Sequence, residues 1–186
     1  MVFDQQTATQ PDATIEVPQF GPHSAGSGIS SDGNWYFHLK TCDRAGNCAA
    51  AQHRGPYKID RTAPPPPASL ASPGHTPGIP SIDTTVETTW AAAIDLLSGT
   101  AGYAWAFLQS PNWLCDGAID GAGLDSISPP LAPGRWYFHL CAIDSVGNRS
   151  APARLGPFEI ELTAPLFLDG FESGNTTAWS ATVGAP

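Results

Sequence analysis

The chain has 186 residues, of which Gly and Pro account for 19 each, and charged residues make up only 13%. Because Gly and Pro both disfavour helix interiors, this composition excludes a helical bundle and favours many short strands joined by turns. Six Trp residues are too many for a disordered chain. Eight basic against 17 acidic residues leave a formal charge of −9, which argues against nucleic acid or an anionic membrane as partner.

The first residues carry neither the basic region nor the apolar run of an export signal. No apolar stretch along the chain approaches the roughly 20 residues that a membrane-spanning helix needs. A missing leader is compatible with a cytosolic protein or with the loss of an N-terminal part. The internal repeat described next favours the second alternative.

Two segments of 30 residues repeat one another without a gap. Residues 35–64 and 136–165 both begin Trp-Tyr-Phe-His-Leu and both end Thr-Ala-Pro, and 15 of the 30 positions are identical. The spacing of 101 residues is the size of a domain and too long for a solenoid repeat. In each segment an alternating strand, an Asp-x-x-Gly-Asn turn and a Gly-Pro return strand predict a hairpin.

The second copy also has a front half. Residues 86–90 and 103–107 alternate as strands do, and residues 126–131 favour a short strand that ends at a proline pair. About seven strands in about 100 residues are typical of a β-sandwich. The four consecutive prolines at 64–67 favour an extended, semi-rigid linker between the two copies.

These residues resemble fibronectin type III and bacterial immunoglobulin-like repeats. The resemblance lies in Val-x-Thr-x-Trp at 86–90, Gly-Tyr-x-Trp-x-Phe at 102–107 and the repeated Trp-Tyr-Phe-His-Leu segment. It implies a Trp packed centrally on the second strand and an aromatic residue opening the penultimate strand. We accordingly predict a core that includes the aromatic residues Trp35, Trp90, Tyr103, Trp136 and Phe138.

We therefore predict an all-β protein of tandem immunoglobulin-like, fibronectin type III-like sandwiches, the first truncated. Residues 1–64 are the C-terminal part of the first repeat and residues 65–165 a complete one. Residues 2–12 align with 106–116, so the first copy has no counterpart of the two leading strands or of Trp90. We expect a fragment of a longer protein; the alternative is a partner that supplies the missing strands.

Residues 166–186 form a separate tail. Its Phe-Leu-Asp-Gly-Phe-Glu-Ser-Gly-Asn-Thr-Thr-Ala-Trp segment resembles a short C-terminal motif of many secreted bacterial proteins, with Asn175 where Asp is usual. The resemblance suggests sorting or anchoring. The structural alternative is one more strand laid on the last sandwich.

The four cysteines divide into two pairs. Cys42 and Cys48 bracket the turn of the first hairpin, and neither is a cysteine in the second copy. Cys115 and Cys141 lie in the second copy, and neither aligned position in the first copy is a cysteine. We predict disulfides within each pair and an oxidising compartment. Metal ligation is the less favoured alternative, because a lone C-x5-C spacing is a poor zinc motif.

Residues with chemical potential are few. His38 and His139 share one position of the repeated strand and are expected to be half-exposed. Asp116 and Asp120 lie in a glycine-rich segment that could offer oxygen ligands to a cation, although a turn-rich loop is the favoured interpretation. Trp113 could stack on a sugar ring, but one Trp does not make a binding platform.

The predicted function is a non-catalytic spacer or interaction module at the C-terminal end of a secreted or cell-surface bacterial protein. We expect no cofactor and no metal. The expected partners are a protein or polysaccharide surface and upstream domains of the same chain. The alternatives are an accessory region of a secreted hydrolase whose catalytic domain lies upstream, and a carbohydrate-binding module.

Overall fold

The computed structural model describes residues 1–14, 28–29 and 31–162. The predicted tail at 166–186 lies outside these residues. Within the described ranges every regular element is a strand, so the protein is all-β there. Among the described residues, no helix is long and apolar enough to cross a bilayer.

Ten strands follow one another along the described part of the chain. They are β1 (Val2–Asp4), β2 (Gly33–Leu39), β3 (Gln52–Ile59), β4 (Ala68–Ala71), β5 (Pro80–Ser81), β6 (Glu87–Ala91), β7 (Thr100–Leu108), β8 (Asp125–Ile127), β9 (Gly134–Asp144) and β10 (Ala153–Ile160). They form three sheets, ordered β1-β2-β3, β5-β10-β9-β7 and β4-β6-β8. All neighbours run antiparallel except β5 and β10, which are parallel.

The sheets β4-β6-β8 and β5-β10-β9-β7 pack against each other around one core. Val86 and Trp90 meet Tyr103, Phe138 and Phe158 there, from the opposite sheet. The rings of Trp90 and Phe138 stack with centroids 5.8 Å apart. Alternating apolar residues on facing strands therefore produce a two-layer arrangement of seven strands, consistent with a β-sandwich.

The sheet β1-β2-β3 repeats the pairing of β7-β9-β10 residue for residue. Phe3 lies opposite Phe37 as Phe107 lies opposite Phe138, and the alignment of residues 2–12 with 106–116 predicted this correspondence. The β2-β3 and β9-β10 pairs share one register, including the same irregularity after Trp35 and after Trp136. The surroundings differ, since Phe138 is fully buried and Phe37 only half-buried.

The predicted core residues occupy two kinds of position. Trp90, Tyr103 and Phe138 are at most 5% exposed. Trp136 is half-buried and packs against the core, and Trp35 is half-buried on the first sheet. Both of these indoles donate a hydrogen bond from Nε1 to the carbonyl four residues earlier, at 3.0 Å for Trp35 and 2.8 Å for Trp136.

The proline segment between the first and second sheets is packed. Pro64 and Pro67 are buried, while the two prolines between them are exposed. The Asn148 side chain donates to the carbonyls of Asp60 and Thr62, each at 3.4 Å. These bonds join the segment before the four prolines to the second copy. The semi-rigid, extended linker stays a prediction.

Candidate functional site

Both predicted cysteine pairs lie at disulfide distance. Cys42 and Cys48 close the turn after β2, with Cα atoms 4.0 Å apart. Cys115 and Cys141 have Cα atoms 6.2 Å apart and tie the loop after β7 to the centre of β9. Because Cys141 is fully buried, this second bond anchors the segment that carries Trp113.

An open cleft of about 820 Å³ lies over the middle of β9 and the start of β10. Its lining consists of Pro111, Asn112, Trp113, Leu114, His139, Pro152 and Arg154. The ring of Trp113 lies 6.0 Å from that of His139, centroid to centroid. The Arg154 guanidinium sits 5.4 Å above the Tyr137 ring and donates to the Pro111 carbonyl at 2.7 Å. The cleft thus presents an aromatic wall beside exposed polar groups.

His139 forms the floor of this cleft. It is only 2% exposed, so the expectation of a half-exposed strand residue was wrong. Burial lowers the pKa of its imidazole below the ordinary 6.5; the positive Arg154 adds to this effect, while the bond to the Ser110 carbonyl opposes it. Its Nε2 donates to that carbonyl at 3.0 Å.

Asp116 and Asp120 are used within their own loop. An Asp116 oxygen accepts from the amide of Ala118, and an Asp120 oxygen accepts from the amide of Trp105. These bonds fix the loop against β7, which agrees with the favoured interpretation of a structured turn. Neither residue joins a group of three potential metal ligands among the described residues.

The carboxylates that do converge are Asp60, Asp95 and Asp144, each with an oxygen within 4.8 Å of the others. They come from the junction after β3, the loop after β6 and the last position of β9. Sequence reasoning missed this group, although each residue begins a recognisable turn or junction. Acidic side chains at turns often lie together without an ion, and we assign no cation here.

His38, the counterpart of His139 in the first copy, lies on the sheet β1-β2-β3. His38 is fully buried, so the expectation of a half-exposed residue was wrong here too. Its Nδ1 lies 2.7 Å from Nδ1 of His53, and its Nε2 lies 3.1 Å from an oxygen of Asp4. Comparison of the two copies gave no sign of this group. In the sheet β5-β10-β9-β7, Leu108 and Arg154 occupy the positions of Asp4 and His53.

Comparison with models of known protein families finds no match to this chain, and a search of curated proteins finds none either.

Proposed function

We propose that this chain is a non-catalytic spacer and interaction module of an extracellular or cell-surface protein. In this proposal it is built from tandem immunoglobulin-like, fibronectin type III-like repeats. The observation that carries the proposal is the identical pairing register of β1-β2-β3 and β7-β9-β10 on either side of a proline junction. Repeating one unit along a chain sets the distance between the parts of a protein that the chain connects.

The junction supports a spacer with limited freedom. Pro64 and Pro67 are buried, and consecutive prolines restrict the backbone to an extended path. The bonds from Asn148 to the carbonyls of Asp60 and Thr62 add a direct contact between the segment that follows β3 and the turn after β9. A junction of this kind limits the angles available between neighbouring repeats.

The disulfides support the extracellular part of the proposal. Two cysteine pairs at bonding distance in 186 residues are typical of oxidising compartments and rare in the cytosol. Folded yield from periplasmic export and from a reducing cytosol would test this. We expect oxidised, protease-resistant protein only from the periplasm; equal resistance of a fully reduced cytosolic product would contradict it.

Small-angle X-ray scattering tests the spacer directly. We expect the oxidised chain to keep one radius of gyration between low and high salt. Replacing residues 64–67 with Gly-Ser-Gly-Ser should broaden the distance distribution, because such linkers behave as flexible coils. The matched control replaces the exposed Pro129–Pro130 pair in the same way. No change on replacing the junction would contradict the proposal.

A second candidate function is polysaccharide binding at the cleft beside Trp113. Sugar rings stack on aromatic faces, and here Trp113 has exposed polar neighbours in Asn112 and Arg154. The indole is held in place, because the loop before Cys115 is tied to buried Cys141. A preformed wall of this kind lowers the entropy cost of binding.

Tryptophan fluorescence over a broad panel of oligosaccharides tests this candidate. Binding should quench or shift the emission of the wild-type chain, and W113A should lose the response. L96A is the control, because Leu96 is 91% exposed and lies in the loop after β6. No response to any glycan would eliminate the candidate while leaving the spacer proposal untouched.

A further inference from the structure

Three strands of the first sheet bring two imidazoles and one carboxylate into a line. His38 on β2 and His53 on β3 are direct partners in the antiparallel register. Asp4 on β1 lies on the other side of the His38 ring. Both ends of this line reach solvent, since His53 is half-buried and the Asp4 side chain is 29% exposed.

The geometry assigns a role to each nitrogen of the His38 ring. Its Nε2 lies 3.1 Å from an oxygen of Asp4, and a carboxylate accepts from the N–H of an imidazole. An imidazole that donates from one nitrogen can offer the lone pair of the other. That other nitrogen, Nδ1, lies 2.7 Å from Nδ1 of His53.

We propose that His38 and His53 form a binding site for a divalent transition metal such as Zn²⁺, with Nδ1 of each ring as ligand. The two nitrogens are close enough to share one proton, and a metal ion would take the place of that proton. Zinc–imidazole bonds of about 2.0–2.1 Å in a tetrahedral site put the two nitrogens roughly 3.3 Å apart. The two nitrogens must therefore move apart, and of the two rings it is His53 that solvent reaches.

Asp4 acts in this site without touching the metal. Metal-bound histidines commonly donate their second N–H to a carboxylate, which fixes the tautomer and makes the ligating nitrogen more basic. Asp4 already makes that bond to His38. Water completes the coordination shell on the open side. Imidazole ligands favour zinc, copper and nickel over calcium or magnesium.

The second sheet provides an internal contrast. At the equivalent positions His139 faces Arg154, whose guanidinium is always charged and cannot ligate a metal. Leu108 replaces the carboxylate of Asp4. The proposed site therefore belongs to the first sheet only, where a bound ion would tie β2 directly to β3 and, through Asp4, to β1.

Calorimetric titration of the full-length oxidised chain with zinc chloride tests the proposal. We expect a site that is lost in H53Q and kept in R54Q, the neighbouring substitution on the same strand. D4N should retain the site with about tenfold to hundredfold weaker affinity. Zinc should also raise the unfolding temperature of wild type and not that of H53Q. Equal binding by wild type and H53Q would overturn the proposal.

Nitrogen NMR of the histidine rings keeps the test decisive if H53Q fails to fold. In the wild-type chain, zinc should move the Nδ1 resonances of His38 and His53 to metal-bound values. The resonances of His75 and His139 should stay in place. Zinc shifts confined to His23, His75 or His139, or no shift at stoichiometric zinc, would overturn the proposal.

Discussion

At the scale of single residues, the two Asp-x-x-Gly-Asn turns show one set of hydrogen bonds in two surroundings. Asp144 accepts from the amides of Val146 and Asn148 and from the Asn148 side chain. Asp43 accepts the same three bonds in the first repeat. Asp144 is 2% exposed, whereas Asp43 is exposed. The same substitution should therefore have unequal effects.

D144A should lower the free energy of unfolding of the second repeat by about 2 kcal/mol, because it removes a buried carboxylate that accepts three hydrogen bonds. D43A is the matched control and should cost clearly less, since water can replace the lost acceptor. Urea denaturation followed by tryptophan fluorescence measures both losses. Equal losses would show that burial does not control the strength of this turn.

His139 makes the stability of the second repeat depend on pH. Burial lowers the pKa of the folded imidazole below its ordinary value of 6.5. The unfolded chain therefore binds more protons than the folded chain as the pH falls through that value. This contribution is fully present above pH 6.5 and is lost on acidification towards the folded pKa.

Urea denaturation at pH 7.5 and at pH 5.5 measures this effect. We expect a lower free energy of unfolding at pH 5.5 for wild type and a smaller pH difference for H139Q. If another histidine caused the pH dependence, wild type and H139Q would lose the same free energy of unfolding between pH 7.5 and pH 5.5.

At the scale of elements, the repeated Gly-Pro step shapes the return strand of each hairpin. Gly156 has a φ of +122°, in a region that favours glycine, and it lies at the register irregularity between Leu155 and Phe158. A Cβ on Gly156 would lie 2.9 Å from the Trp136 carbonyl oxygen. Gly55 repeats this arrangement against the Trp35 carbonyl.

G156A should therefore destabilise the second repeat by more than about 1 kcal/mol, through backbone strain and the close carbonyl. G74A is the control, because no atom lies within 4 Å of a Cβ built on Gly74 and its φ is not in the left-handed region. Thermal unfolding compares the two variants. A stable G156A would mean that the strand can move without cost.

At the scale of the whole molecule, the two disulfides close loops of different length. Cys42 and Cys48 are 6 residues apart, and Cys115 and Cys141 are 26 apart. A longer loop loses more entropy in the unfolded chain when it is closed. The chain-entropy relation gives about 2.4 kcal/mol for the short loop and about 3.5 kcal/mol for the long one.

C115A/C141A should therefore lower stability more than C42A/C48A, with burial of Cys141 adding to the difference. Urea denaturation without reductant measures both. Intact mass is the accompanying control: two disulfides make the untreated chain four hydrogens lighter than the reduced chain. Equal masses would contradict both bonds, and a greater loss in C42A/C48A would contradict the entropy argument.

The strands and the cysteine pairs could be predicted because their signals are local or come from comparing the two copies. Alternation with a period of two identifies a strand wherever one face is buried, as for Val86 and Trp90 on one face of the segment around β6. Cys42 and Cys48 are both present in the first copy, and both are replaced by other residues in the second. This joint replacement suggested that they form a pair.

The contacts of the buried histidines could not be predicted in this way. The irregularity between Trp35 and Phe37 places His38 opposite His53, and β1 then brings Asp4 to the same ring. Asp60, Asp95 and Asp144 likewise meet from three separate segments. Such contacts depend on register and on the packing of distant strands, which no single stretch of sequence specifies.

The sequence by itself determined the all-β character of the described residues, because dense Gly and Pro disfavour helices and alternating apolar residues give a strand one face to bury. It also determined the internal repeat and the cysteine partners. Only the tertiary structure decided that His38 and His139 are buried and which groups they face. Burial and contact of side chains on neighbouring strands arise when strands pair and sheets pack. His38 then lies between Asp4 and His53, while its counterpart His139 forms the floor of a cleft.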